Sequence, residues 1–475
     1  MHGHWPTSRL VLLGALVLAG CAQVPQLGAL PEPKTVEAYQ SSKTISASDA
    51  AWPADQWWND FRDDQLSGLI NEALQNAPSL AVAQARLSQA LAAAEQAGAS
   101  LRPGLTADAS LGKTKQSYNN GVPEAAVPHG WNTTASAGFN LRYEIDFWGK
   151  NRAALAAATS AAEATRADQA QARLTLSTTI ASAYAELARL YAERDALEKA
   201  VQVRTRTTEL FGDRQRNGLE TTGSLKQVEA RKAAAEAELL AMDEAIALQK
   251  NQLAALTGMG PDRALAIARP SLDLARAAGL PANLQADLLG RRPDVVAARL
   301  RAQAAAKRID QARAAFYPNV NLSAFIGFQS LGLDLLTKSG SLAGSVGPAI
   351  SLPIFDTGRL QGQYKGTRAE YEEAVASYNG AVNQAIKEVA DVAVSQRAIS
   401  GQLGKAQEAV DAATEAYRVA QNRYQGGLAT YLEVLSAEDA LLSNVRALTN
   451  QRSRLFTLDV QLVRALGGGY RNNQA

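Results

Sequence analysis

Ala135-Ser136-Ala137-Gly138-Phe139-Asn140-Leu141-Arg142-Tyr143-Glu144-Ile145-Asp146 decides the fold class. Ala135, Ala137, Phe139, Leu141, Tyr143 and Ile145 alternate with Ser136, Gly138, Asn140, Arg142, Glu144 and Asp146. Side chains of period two put these sets on opposite faces of a strand, one apolar and one polar and partly charged. A run of about ten such residues fits a barrel strand with lipid outside and water inside. A soluble antiparallel sheet with one buried face is the alternative.

The pattern recurs on either side. Leu105, Ala107, Ala109 and Leu111 alternate with Thr106, Asp108 and Ser110; Val320, Leu322, Ala324, Ile326 and Phe328 share one face; Val346, Pro348, Ile350, Leu352 and Ile354 do so more weakly. Between the first two runs, Lys113 to Thr134 is rich in turn residues, including Asn119-Asn120-Gly121, and is expected to be the external loop of a first hairpin.

The runs belong to a tandem repeat. Pro78/Pro293, Ala83/Ala298, Arg86/Arg301, Gln96/Gln311, Pro103/Pro318 and Gly112/Gly327 match at one offset of 215 residues. Ile145/Ile354, Gly149/Gly358, Gly218/Gly427, Leu219/Leu428, Thr221/Thr430, Glu229/Glu438 and Gly258/Gly467 match at an offset of 209. A gap-free shift over so long a stretch marks a duplicated unit. The offset changes between Gly112 and Gly149, so the first copy carries the longer insertion.

The remainder predicts helix. Lys150 to Phe211 contains neither Gly nor Pro and would reach ~90 Å at helical rise. Ser224 to Thr257 and Leu428 to Leu466 are further clean runs, and Leu174, Ala181, Tyr184, Leu187 and Tyr191 form a packing stripe. Small alanines let several helices approach closely. A soluble helical bundle is the alternative, but it leaves the paired strands unexplained.

Composition narrows the chemistry. The 475 residues carry 48 Lys+Arg against 46 Asp+Glu, a balance without a nucleic-acid footprint. Of three histidines only His129 lies in the body, and Cys21 is the sole cysteine, which disfavours zinc sites and Cys–His catalysis. Gly112-Lys113-Thr114 ends like a Walker A motif, but Ala107 stands where its leading glycine belongs. No cofactor and no enzymatic activity are expected. At the N-terminus Arg9, the apolar run Leu10 to Leu18 and Leu18-Ala19-Gly20-Cys21 read as an export signal. That run is about half the ~20 residues of a membrane-spanning helix.

Leu-Ala-Gly-Cys resembles the bacterial lipobox, which implies lipidation at Cys21; an ordinary signal peptide with a chance cysteine is the alternative. Further stretches resemble TolC-like outer-membrane channels of the NodT or OprM-like lipoprotein branch. They are Leu288-Leu289-Gly290-Arg291-Arg292-Pro293-Asp294 through Ala314-Ala315-Phe316-Tyr317-Pro318, Leu352-Pro353-Ile354-Phe355-Asp356-Thr357-Gly358-Arg359, Tyr143 through Lys150, and Arg423-Tyr424-Gln425-Gly426-Gly427-Leu428.

The resemblance implies a mixed α and β membrane protein, a homotrimeric channel-tunnel. Four strands per chain would make a twelve-stranded transmembrane β-barrel, and long helices a periplasmic α-helical barrel. It divides the chain into a signal peptide (1–20), a lipid-anchored extended segment (21–60), a first efflux repeat (61–270), a linker (271–281), a second repeat (282–470) and a tail (471–475). Its implied partners are a periplasmic adaptor, an inner-membrane pump of the RND type and outer-membrane lipid. The expected role is passive export of drugs or other small toxic compounds. Ducts for type I protein secretion or metal efflux are the nearest alternatives, and a non-conducting coiled-coil lipoprotein the remote one.

Three groups of residues carry roles on this reading. Gly218, Leu219, Thr221, Gly427, Leu428 and Thr430 form two turns between long helices, which the resemblance assigns to adaptor contact; ordinary turn chemistry also explains the glycines and threonines, but not an apolar tip. Arg423, Tyr424, Leu432, Glu433 and Ser436 flank the second turn and are the candidate periplasmic gate. In related channels the counterparts of Arg423 and Tyr424 hold helices inward, and Leu432's position forms a constriction. Ser436 stands where relatives often carry aspartate; Glu433 would supply ring charge only if it faces the lumen. Phe147, Trp148, Phe316, Tyr317 and Phe355 flank the strands as an aromatic belt or as packing at the strand-to-helix joint.

Overall fold

The computed structural model describes residues 23–35, 38–39, 51–119, 121, 123–271 and 289–471. Two copies of one element order follow each other, the second described from the counterpart of the first copy's second helix onward. The first runs α1 (Asp64–Asn76), α2 (Pro78–Ala99), β1 (Gly104–Thr114), β2 (Asn132–Ile145), α3 (Lys150–Arg216) and α4 (Thr222–Leu256). The second runs α5 (Pro293–Ala314), β3 (Asn319–Leu331), β4 (Leu342–Ser351), α6 (Thr357–Gln425) and α7 (Tyr431–Ala465). Helices α3 and α6 have 67 and 69 residues, and α4 and α7 have 35 each, so the duplication extends to helix length.

Local chemistry sets the boundaries. Asp63 caps α1 by accepting from the Leu66 N–H at 2.8 Å. Pro78 forces Ala77 into an extended conformation, ending α1, and then serves as the first residue of α2. Pro293 starts α5 in the same way.

The chain forms two compact units, built from interleaved pieces. The first comprises Met1–Pro33, Leu87–Thr165 and Ala298–Tyr378. It holds a four-stranded sheet of order β1-β2-β3-β4, antiparallel throughout. Hairpins pair β1 with β2 and β3 with β4 within each copy, and β2 with β3 joins the copies. Register confirms the two faces: Leu105–Leu141–Ala324–Val346 is an apolar cross-strand row, and Thr106–Asn140–Phe325–Ser345 lies on the other face. The apolar face is bare, with Val346 78% and Ile350 70% exposed. On the polar face, Ser110 and Ser136 share a 2.8 Å hydrogen bond, and Asn140 Nδ2 donates to Asp108 Oδ2 at 2.8 Å. Among the described residues neither β1 nor β4 has a second partner strand, so both sheet edges are open.

The second unit comprises Lys34–Arg86, Arg166–Ala297 and Asn379–Ala475. Its core packs Trp57, Trp58, Leu66, Ile70, Ile180, Tyr184, Leu187, Leu253 and Phe456. Buried Asp63 accepts from the hydroxyls of Tyr184 and Ser271 as well as from Leu66. Arg291 stacks on the Trp52 ring at 4.5 Å, while Arg292, 4% exposed, is held between Asp294 at 2.6 Å and Glu388 at 2.7 Å. The Gly-Arg-Arg-Pro-Asp motif is therefore a structural joint, since a buried guanidinium requires such paired carboxylates. Among the described residues no helix is long and apolar enough to cross a membrane.

Candidate functional site at the paired helical tips

Helices α3 and α6 each end in the same tight reversal. Leu219 N–H donates to the Arg214 carbonyl at 2.8 Å and Gly218 N–H to Gln215 at 3.0 Å. Leu428 and Gly427 make the corresponding bonds to Arg423 and Tyr424 at 2.8 and 3.0 Å. This double closure needs a left-handed residue, supplied by Gly218 at φ 73° and Gly427 at φ 72°. Thr221 then caps α4, its hydroxyl accepting from the Ser224 N–H at 3.0 Å. At the second tip Thr430 is the cap residue, and its own N–H donates to Glu433 Oε1 at 3.2 Å. All six expected tip residues therefore form two equivalent turns. Each turn presents a bare leucine, Leu219 at 66% and Leu428 at 74% exposure.

Aromatic rings clasp the tips together. Phe211 of α3 lies parallel to Tyr424 at 6.2 Å, and Tyr431 touches both, at 4.8 Å from Phe211 and 5.4 Å from Tyr424. The Arg214 guanidinium sits 5.9 Å from the centre of the Tyr424 ring. The Tyr424 hydroxyl is buried without a hydrogen-bond partner among the described residues, and burial raises its pKa.

The family follows from this duplicated architecture and its sequence. The pattern of the outer membrane efflux protein family matches residues 69–259 and 284–468. The chain belongs to that family. Multidrug resistance outer membrane protein MdtP of Escherichia coli K12 is 30% identical, covering 98% of this chain and 97% of its own. Fusaric acid resistance protein FusA of Burkholderia cepacia is 36% identical over 76% of this chain and 68% of its own. Among solved structures, the outer membrane protein VceC of Vibrio cholerae is 51% identical with a TM-score of 0.83, covering 88% of this chain and all of VceC. The protein is an outer-membrane efflux channel component, and its long helices and four-stranded sheet are the fold class its sequence implied. Members of this family are channels.

Within this outer membrane efflux protein the gate candidates divide. Arg423 donates to the Leu428 carbonyl at 3.2 Å and lies 3.5 Å from Glu433, so it braces its own tip turn. Glu433 is occupied as the cap of α7. Ser436 donates to the Leu432 carbonyl at 2.9 Å, a bond within the helix, and Leu432 is exposed. Of the aromatic candidates, Trp148 stacks on Tyr317 at 4.6 Å and donates to the Pro318 carbonyl at 2.9 Å; Phe147 and Phe355 are exposed. Phe316 is 4% exposed and packs with Ile309, Leu360 and Tyr364. That is joint packing, unlike the surface position a belt requires. Cys21 lies outside the described residues.

The sequence assigns no role to Phe211, Tyr431 or Arg204, and it marks Glu438 only as the repeat partner of Glu229. The signal was in the mismatches between copies: Phe211 aligns with Ala420 and Tyr431 with Thr222, so aromatic character was placed once, not twice. Glu438, buried on α7, sits 3.3 Å from Arg204 of α3, which also binds Asp439 at 2.9 Å. One oxygen of Glu438 has no partner among the described residues. Burial raises the Glu438 pKa, and Arg204 only partly opposes it. A folded-state value above the unfolded one favours the fold most below the ordinary carboxylate range, and that contribution is lost as pH rises through the raised value. Glu438→Gln is therefore expected to flatten the loss of thermal stability on going from pH 4.5 to pH 7.5. Tm measured across that range checks it, and a slope identical to wild type refutes it.

Proposed function

We propose that three copies of the chain assemble into the exit duct of a tripartite efflux system. The duct passively conducts small toxic organic compounds delivered by an inner-membrane pump of the RND type through a periplasmic adaptor. The carrying observation is the sheet: one bare apolar face, one polar face and two open edges. Four strands cannot close a barrel, which needs at least about eight, whereas three copies supply twelve. Closure would pair the edges, place the apolar rows against lipid and leave a wet lumen. The drug and fusaric acid resistance in the names of MdtP and FusA supports small organic cargo. Catalysis has no part in this reading, because the pump supplies the energy. A lipid on Cys21 would anchor each copy beside its barrel strands, and the tip leucines would meet the adaptor.

Reconstitution tests the reading directly. Purified protein of trimeric mass inserted into a planar bilayer is expected to give stepwise ion conductance. In a strain lacking its native duct, expression is expected to restore growth in an exported antimicrobial. A trimer that inserts and carries no current under any applied voltage overturns the proposal.

A further inference from the structure

The polar face of the sheet carries one aromatic side chain among the described residues. Its side chains include Thr106, Asp108 and Ser110 on β1, Ser136, Asn140, Arg142 and Glu144 on β2, and Asn321, Ser323 and Gln329 on β3. Phe325, at the middle of β3, is the only aromatic residue on that face among the described residues. Its ring lies across two glycines paired with each other, Gly138 and Gly327. A Cβ built on Gly138 would stand 2.7 Å from Phe325 Cε2, and one on Gly327 would stand 3.0 Å from Phe325 Cζ. The glycines thus leave the space the ring fills, and β-carbons there would displace it.

A carboxylate stands in the same cross-strand row as the two glycines. Asp108 is the cross-strand partner of Gly138, so it belongs to the row the ring covers. Its Oδ2 accepts from Thr106 Oγ1 at 3.0 Å and from Asn140 Nδ2 at 2.8 Å, which fixes the group. Its Oδ1 has no hydrogen bond among the described residues. An aromatic face beside a fixed, half-satisfied carboxylate is the arrangement that holds organic cations. The nearest cation on this face of β2 is Arg142, four residues along the strand from Gly138. At strand rise that is about 13 Å, beyond the ~8 Å Debye length of physiological salt.

We propose that Phe325 and Asp108 form a contact site for lipophilic organic cations on the lumen wall of the β-barrel, repeated in each copy. The inference rests on the duct reading, which makes this face the lumen. It assigns the sheet a share in cargo handling, with aromatic ammonium or phosphonium ions held briefly on their way out.

Blockade of single-channel current tests it, using tetraphenylphosphonium added from the side of the sheet's loops. Wild-type channels are expected to show a concentration-dependent partial block, with tetraphenylborate, an anion of the same shape, giving none. Phe325→Leu keeps an apolar cover over the glycines and removes the aromatic face; Asp108→Asn removes the charge. Each is expected to raise the half-blocking concentration about tenfold, within the range of such contacts, while Phe325→Tyr retains the block. Conducting Phe325→Leu channels blocked like wild type would show that the ring only covers the glycines, and the site would be overturned. Equal block by tetraphenylborate would overturn it as well. A wild-type protein that does not conduct would overturn the duct reading itself and the site with it.

Discussion

Gly467→Ala is expected to prevent the channel from assembling at normal growth temperature. Gly467 follows α7 at φ 86°, where alanine costs ~1–2 kcal/mol through clash with its own backbone. The larger effect is external. A β-carbon there would run into the Arg291 carbonyl oxygen and come within 2.8 Å of the Arg291 carbonyl carbon. The obstacle is backbone, so no rotamer change relieves it. Moving it shifts the start of α5 and disturbs Arg292 between its carboxylates. Overpacking of this kind adds roughly 1–3 kcal/mol, so the total reaches a few kcal/mol against a typical stability of about 5–15. The first copy repeats the contact: Gly258 at φ 77° closes over Asn76, its absent β-carbon 2.5 Å from the Asn76 carbonyl oxygen. Gly258→Ala is expected to behave alike. Gly401→Ala, inside α6 with open space around its α-carbon, is the control and is expected to be neutral or to stabilise by about 0.5–1 kcal/mol. Trimer yield and Tm of the three variants check this; full yield for Gly467→Ala would show that the helix ends can separate at little cost.

The matched glycines were visible in the sequence as repeat partners, yet their reason was not. The offset pairs Gly258 with Gly467, while the carbonyls they face belong to segments far away along the chain. The strands were more legible. Period-two alternation depends on neighbours only, so the faces of β1, β2 and β3 could be read directly; β4 with Pro348 and Gly347 keeps register with β3 but ends at Ser351, short of Leu352 and Ile354. Phe325 broke the pattern, and only the pairing of Gly138 with Gly327 explains it.

Helix ends were harder to place. Freedom from glycine marked α3 as far as Phe211, but the helix continues through Gly212 to Arg216 because one interior glycine costs only ~1 kcal/mol. By the same criterion α6 was invisible, since Gly358, Gly362, Gly366, Gly380, Gly401 and Gly404 all lie within it. Turn chemistry located the tips, because a left-handed glycine followed three residues later by a threonine at the helix N-cap is a local signal. The ring clasp of Phe211, Tyr424 and Tyr431 joins α3, α6 and α7, and nothing within one helix announces it. Glu433 shows the opposite limit: a charge in a candidate gate reads as functional until its hydrogen bond to the Thr430 N–H shows it capping a helix.

Leu219→Asp combined with Leu428→Asp is expected to abolish export while leaving the channel folded and conducting. Neither leucine closes its turn through its side chain; the closing bonds come from backbone N–H groups and the caps from Thr221 and Glu433. Both side chains stand in solvent, so the substitutions remove little packing within the chain. A partner helix covering them would gain ~1.5–3 kcal/mol per leucine, and carboxylates there would lose that and add a desolvation cost. Two sites per chain therefore correspond to roughly 3–6 kcal/mol, more than a hundredfold in affinity for the adaptor. The paired variant is expected to crosslink poorly to the adaptor and to leave cells as susceptible to exported drugs as a strain without the duct. Single-channel conductance should match wild type, which separates lost docking from lost pore. Thr221→Val provides the contrast: it removes a cap hydroxyl worth about 1 kcal/mol and should loosen the tip without introducing charge. Undiminished crosslinking and export in the double aspartate variant would place the adaptor's contact elsewhere on the helices and leave the exposed leucines without a partner.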